Sequence, residues 1–246
     1  MDSWLDFWNK PNAIYVNDRH REAHYTTVFA GISPFFPPGA TSTVLDWGCG
    51  DALAADRMSQ MCGTLLLFDA AESTRRRLYN RYASCPRIEV VDERQLEALP
   101  KTSIELVIVN SVVQYLSREQ LMMALGLFHR LLKNDGKLLL GDIIEPHTPT
   151  VKHVTTFLRF AFKNNFFWAA ALGLLQNFVS SYRVLRRNAG YACFTADELS
   201  VVLRGCGFDA ERLPRNIAVS PHRSSYLARK SNSGSSAALR AEGTSS

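Results

Sequence analysis

From residue 43 to residue 143 the chain alternates short apolar runs with amphipathic stretches, and this rhythm constrains the fold more than any other feature. Residues 43–46, 64–69, 87–92, 104–110 and 137–143 read as five strands. Helices are predicted over 52–61, stopped by Gly63, and over 72–83. Ser117 and Gln120 form a capping box for a further helix, which Asn134-Asp135-Gly136 is expected to close. Continuous Leu/Val/Ile runs mark strands buried on both faces, so five β/α repeats imply a parallel sheet with helices on each side. Right-handed crossovers then favour a doubly wound α/β sheet. Such sheets bind ligands beyond the carboxyl ends of their strands, where Asp46, Asp69, Asp92, Asn110 and Asp142 all fall.

The flanking segments break this rhythm. Residues 1–40 read as an N-terminal helical arm, with Asn17 capping a helix to about residue 31 and Ala23, Thr27 and Ala30 on one face. Residues 41–230 form the main domain, interrupted at 146–192 by an insertion rich in Phe and Leu. Thr195 and Glu198 form a second capping box for a helix to Gly205, and 208–213 and 225–228 read as two last strands. The Ser, Ala and Gly of 231–246 suggest a disordered tail.

Composition excludes several classes. Lys and Arg number 28 against 23 acids, a net charge of +5 that is scattered except at Arg75-Arg76-Arg77. This does not form the basic stripe of a nucleic-acid binder. Five cysteines, without any CxxC, read as small buried residues of a reducing compartment and leave no metal site. Residues 1–10 hold no apolar leader, and no run of about 18 apolar residues spans a bilayer. A cytoplasmic address is expected.

The segment Val44-Leu45-Asp46-Trp47-Gly48-Cys49-Gly50-Asp51-Ala52 takes a strand through a glycine turn into a helix. Leu53 stands where a dinucleotide fingerprint needs its third glycine. Asp46 would repel a pyrophosphate and attract an ammonium or sulfonium. The segment resembles motif I of the class I S-adenosylmethionine-dependent methyltransferases, with Ala52 in place of the last glycine. Leu66-Leu67-Phe68-Asp69, residues 104–116 and residues 131–140 resemble that family's second strand, fourth strand and fifth-strand region in order.

This resemblance implies a Rossmann-like seven-stranded sheet with the last strand antiparallel, and S-adenosylmethionine as cofactor. It implies that Asp46, Gly48 and Gly50 hold the methionine moiety and that Asp69 accepts both ribose hydroxyls. Asp92, with Glu93 as alternate, would meet the adenine amino group, and Asn110 would offer its backbone to the cofactor amine. Asp92 also fits the N-cap of the following helix.

The methyl acceptor is less legible. Candidate bases are His24, Tyr25, His147 and Tyr182. His147 follows the fifth strand, a position that also suits an ordinary loop histidine; Tyr25 either closes over the cofactor or packs in the core. Asn110-Ser111-Val112-Val113 is not the N/D-P-P-Y motif of nucleic-acid methylation, and no paired-acid metal pattern is present. A small-molecule or lipid-like, apolar or amphipathic acceptor is expected; the alternative is a catalytically inactive binding or regulatory protein of the same fold.

The insertion bears on this choice. Residues 166–175 lack polar side chains and reach about 15 Å as helix, half the roughly 30 Å of a hydrocarbon core. Two readings remain: a helical lid packed on the sheet's rim, or an apolar lid over a greasy acceptor. In the second, residues 154–187 make peripheral membrane contact, with Lys152, Lys163, Arg183, Arg186 and Arg187 toward anionic headgroups.

Overall fold

A computed structural model describes residues 8–9, 15–39, 41–146, 150–170 and 192–231. In chain order the elements are α1 (Asp18–Ile32), β1 (Thr43–Trp47), α2 (Ala55–Ser59), β2 (Thr64–Phe68), α3 (Glu72–Tyr82), β3 (Ile88–Val90) and α4 (Glu93–Ala98). They continue with β4 (Ile104–Asn110), α5 (Arg118–Leu131), β5 (Leu132–Ile143), α6 (Thr150–Lys163), α7 (Ala196–Gly205), β6 (Phe208–Arg212) and β7 (Ser224–Lys230). Seven strands form one sheet in the order β3-β2-β1-β4-β5-β7-β6. The first five are parallel, and β7 runs antiparallel between β5 and β6. The order reverses beside β1, so a crevice opens between the tips of β1 and β4.

The two faces have separate cores. One buries Leu45, Val107, Val109, Leu138 and Leu140 against Phe128 of α5 and Leu199 and Leu203 of α7. The other buries Val44, Leu65, Leu67, Leu106 and Ile108 against Val28 of α1, Met58 of α2 and Leu78 of α3. This alternation along β1 and β4 is the two-residue period of a doubly covered sheet. Truncating a fully buried side chain such as Phe128 to Ala would cost about 3–5 kcal/mol.

The caps at Asn17, Ser117 and Thr195 form as the sequence implies, each side chain accepting from a backbone N–H three residues on. Three boundaries and one buried face differ from expectation. The helix after the glycine turn starts at Ala55 rather than 52, because Gly48, Gly50 and Ala52 have φ of +78°, +58° and +46°. The third strand is shorter, ending at Val90, because Asp92 already caps α4. Helix α5 ends at Leu131 and β5 begins at once, so Asn134-Asp135-Gly136 lies in a bulge where the β4–β5 register shifts. On α1, Val28 and Ile32 are buried while Ala30 is exposed. Gly31 turns to the core instead, where a Cβ would sit 2.1 Å from the Ile217 carbonyl oxygen.

The described part of the insertion packs on α1 rather than on the sheet's rim. Phe157, Leu158, Phe160 and Phe166 gather with Val16 and Ala23, and the His20 ring stacks on Phe166 with centroids 4.9 Å apart. Phe157 and Phe160 of α6 find their apolar surface on the arm. Residues 171–191 and the tail 232–246, including its expected disorder, lie outside the described residues.

Candidate active site

The glycine turn is held against the neighbouring strand. Gly48 N–H and Cys49 N–H both donate to the Phe68 carbonyl, at 2.7 and 3.1 Å. A Cβ on Gly48 would sit 2.4 Å from Val112 Cγ2, so only glycine fits that close approach. The turn's N–H groups also orient Asp69: Gly50 N–H donates to Oδ2 at 3.0 Å and Ala71 N–H to Oδ1 at 2.9 Å. Each carboxylate oxygen keeps a lone pair for a further donor.

Asp46 and Asp69 bring two acids to this turn. Burial, then the negative charge of Asp69, pushes the Asp46 carboxyl up to about 7. Asp69 is also raised, because burial outweighs its two N–H donors and the charges of Arg75 and Arg77. A cation seated between them would return both to carboxylates. The residues therefore suit a ligand with ammonium and sulfonium charges and a vicinal diol, and oppose a pyrophosphate.

Helix α1 closes over this turn. The Tyr25 hydroxyl accepts from Asp51 N–H at 2.8 Å, and a Cβ on Gly50 would approach it to 3.1 Å. The Asp51 carboxylate pairs with Arg77 at 3.6 Å and Arg21 at 3.9 Å. Trp8 packs edge-on to Tyr115 at 5.6 Å, while Asn9 Oδ1 accepts from Ser73 N–H at 3.3 Å. Residues 8–9 thus reach from the start of α3 to the short turn after β4. Tyr15 joins the cover, its ring 6.2 Å from Tyr25 and 5.5 Å from His24.

Across the crevice, the tips of β4 and β5 carry a polar cluster. Ser111 and Asp142 are non-glycine residues with φ of +59° and +63°, and the Ser111 hydroxyl donates to Asp142 Oδ2 at 2.7 Å. Asn216 Nδ2 donates to Asp142 Oδ1 at 3.0 Å, and Asp142 N–H returns a bond to Asn216 Oδ1 at 3.1 Å. The Arg223 guanidinium pairs with the same carboxylate. Nearby, Gln114 Nε2 donates to the Ser111 carbonyl at 2.8 Å. Asn110 Oδ1 and Gln114 Oε1 are buried and accept no hydrogen bond among the described residues.

Asp46, Gly48, Gly50, Asp69, Tyr25 and Asn110 therefore surround one crevice. Asp92 stands apart from them in one respect: its carboxylate and N–H are engaged in a capping box with Gln95, both bonds 2.9 Å. Glu93 approaches the crevice through its 3.3 Å ion pair with Arg75, which also donates to the Asp69 carbonyl at 2.6 Å. His147 and Tyr182 lie outside the described residues. Asn216 and Arg223 were missed because they lie in a loop about 80 residues beyond the β5 tip. Their one sequence signal is a pair of polar side chains in a proline-punctuated stretch, Pro214 to Arg223.

Comparisons with known proteins agree with this geometry. Residues 44–136 match the family model described as a methyltransferase domain. Phosphoethanolamine N-methyltransferase 1 of Haemonchus contortus, solved with phosphoethanolamine and S-adenosylhomocysteine, superposes with a TM-score of 0.61 at 16% identity. That match covers 93% of this chain and 47% of the other, so this chain spans about half of that protein's length. The DhpI–SAH complex superposes with a TM-score of 0.58 at 10% identity, over 94% of this chain and 97% of that one. The N-methyltransferase NodS of Bradyrhizobium japonicum, in complex with S-adenosylhomocysteine, gives 0.53 at 15% identity over 92% and 95%. No curated protein matches the chain in sequence. Residues 44–136 thus form a methyltransferase domain, set in a chain whose strand order and two-acid glycine turn are those of the class I S-adenosylmethionine-dependent methyltransferase fold.

Proposed function

We propose that this methyltransferase acts on a small, amphipathic acceptor held between the β4 and β5 tips and the arm. The supporting observation is the contrast across that space. The β4 and β5 tips carry a polar cluster of Ser111, Asp142, Asn216 and Arg223, whereas on the arm the Tyr15 and His20 rings continue into Phe157, Phe160 and Phe166. An acceptor with one polar end and an apolar body suits both.

On this reading Asp46, Gly48 and Gly50 hold the methionine moiety, Asp69 the ribose diol, and Asn110 the amine. The cofactor, when bound, supplies a methyl group on a positively charged sulfur. The chain aligns the acceptor with that methyl and excludes water by closing the arm, with Tyr25 keeping the glycine turn in shape. Cofactor affinity follows from charge: two acids and two glycine-permitted approaches favour a cation over a nucleotide phosphate. An acceptor screen that follows S-adenosylhomocysteine formation tests the assignment. Turnover confined to small, highly polar acceptors would remove the amphipathic reading, and binding without any turnover would favour the inactive alternative.

The insertion supports contact with an anionic bilayer as the acceptor's source. While Phe157, Phe160 and Phe166 turn toward α1, Phe162 and Trp168 are 74% and 83% exposed. Residues 146–192 contain six Lys or Arg and no Asp or Glu. Aromatic side chains entering the interface beside basic residues suit peripheral binding. Among the described residues no helix is long and apolar enough to cross a membrane. Flotation with phosphatidylserine vesicles at low salt, lost in a Phe162→Ser, Trp168→Ser double variant, is the expected result; absence of wild-type flotation removes this contact.

A further inference from the structure

Ser111 sorts donors from acceptors at the tip of β4. Its backbone is left-handed, with φ of +59°, a conformation that a non-glycine residue holds only where its surroundings demand it. The Asp142 carboxylate, paired with Arg223, has no proton to donate, so the Ser111 hydroxyl gives its one hydrogen to Asp142 Oδ2 at 2.7 Å. The hydroxyl is left with lone pairs, and it accepts from Asn110 Nδ2 at 3.3 Å. The Ser111 carbonyl can only accept, and it takes a hydrogen bond from Gln114 Nε2 at 2.8 Å. Both amides are thereby fixed with their NH2 groups toward Ser111, which leaves their carbonyl oxygens as the free ends.

Asn110 Oδ1 and Gln114 Oε1 are buried and accept no hydrogen bond among the described residues. Gln114 as a whole is only 4% exposed. A buried carbonyl oxygen without a donor is destabilising, and packing alone would be served better by Leu or Met. Its place singles out Gln114. It lies on the short turn Val113–Tyr115, between β4 and α5. Val112, just before that turn, closes on Gly48 of the cofactor turn, and Tyr115 carries the edge-on Trp8 ring. The Gln114 carbonyl accepts from Ala192 N–H at 3.0 Å, at the end of the insertion. Neighbouring residues of one turn thus touch the cofactor turn, the N-terminal segment and the insertion, the three parts that would enclose an acceptor beside the methyl group.

We propose that Gln114 is a specificity-determining residue: its Oε1 accepts a hydrogen bond from an N–H or O–H of the methyl-accepting group, so that amines and hydroxyl compounds are selected and carboxylates are rejected. This rests on the methyltransferase reading and names the polar end of its acceptor. An amine or a hydroxyl offers both a lone pair for the methyl carbon and a hydrogen for Oε1. A carboxylate brings only lone pairs and sets them against those of Oε1, where neither oxygen can turn to water. The amide takes no proton at neutral pH, so Gln114 orients the acceptor and is not a base. Ser111 and Asp142 act through it, by holding the amide in one orientation.

Octylamine, octanol and octanoate, which share one alkyl chain, test this by calorimetry on the protein loaded with S-adenosylhomocysteine. Octylamine and octanol should each bind at least about tenfold more tightly than octanoate. In Gln114→Met, which keeps the length of the side chain without its amide, the three affinities should come within about twofold of one another. Gln114→Glu, which keeps an acceptor oxygen but not the bond to the Ser111 carbonyl, should retain the preference; a purely structural role for the amide would be lost equally in both variants. Octanoate binding as well as the other two, failure of all three to bind, or a preference that survives in Gln114→Met overturns the assignment. A second reading needs no variant: methyl transfer to a carboxylate oxygen in the acceptor screen also overturns it. Failure of the wild-type protein to bind S-adenosylhomocysteine would instead strike the methyltransferase reading itself.

Discussion

The two sides of the crevice are built from the chain in opposite ways. The donor side uses residues 46–51, with Asp69 reached through one strand and Tyr25 closing from outside. Its geometry is local: a strand, a turn of left-handed residues, and backbone N–H groups that aim one carboxylate. The acceptor side joins residues 111 and 142, from the tips of two strands, with 216 and 223 from a loop more than 70 residues further along the chain. A binding site for a constant cofactor is carried by a local motif, whereas an acceptor site is assembled by tertiary packing and is free to differ between proteins sharing the fold.

The strongest way to break this comparison is to remove the donor side's aimed carboxylate. Asp69→Ala should lose two charge-assisted hydrogen bonds to the ribose, about 3–6 kcal/mol together, and weaken S-adenosylhomocysteine binding at least hundredfold by calorimetry. Unchanged affinity would end the ribose assignment. Asp69→Asn, which keeps the shape, should lose less.

Asp46 gives the next largest effect, on stability. Its folded pKa, about 7, lies above its ordinary value of 3.8, so the protonated acid favours the folded state. This contribution is complete below about pH 4 and is lost as the pH rises through about 7, on the order of 4 kcal/mol in all. Denaturant unfolding of the cofactor-free protein at pH 5 and pH 8 should show the loss, and Asp46→Asn should flatten it. Cofactor affinity should run the other way, rising with pH as the carboxylate forms.

Gly48→Ala comes third. Its Cβ would meet Val112 Cγ2 at 2.4 Å in left-handed backbone, costing about 1–3 kcal/mol in thermal unfolding and distorting the turn. If the variant bound cofactor normally, the turn would not be the rigid element described. Tyr25→Phe removes one acceptor from Asp51 N–H and should weaken cofactor binding by about 1 kcal/mol, roughly fivefold, without unfolding the protein. The smallest expected effect is none: EDTA should leave turnover unchanged, and rescue by magnesium would show a metal-dependent acceptor side.

Much of this molecule was legible because its signals are local. The caps at Asn17, Ser117 and Thr195, the apolar strands and the glycine turn each depend on neighbours within a few residues. The boundaries that moved have tertiary causes. Asn134-Asp135-Gly136 reads as a helix stop, yet pairing with β4 draws the chain into the sheet from Leu132 and leaves those residues as a bulge. The buried edge of α1 could not be inferred from Ala23, Thr27 and Ala30, because Gly31 presses against Ile217, 186 residues away in sequence.

By itself the sequence determined the doubly wound sheet, the cofactor turn and the two acids that give it a preference for a cation. Hydrophobic period, turn chemistry and charge act over short stretches, so they can be read in order along the chain. Only the tertiary structure decided that α6 lies on the arm and that Asn216 and Arg223 meet Asp142 at the β5 tip. Those outcomes depend on which surfaces meet when the sheet closes its last antiparallel strand beside β5. That meeting carries Asn216 and Arg223 to the tip of a strand formed 80 residues earlier.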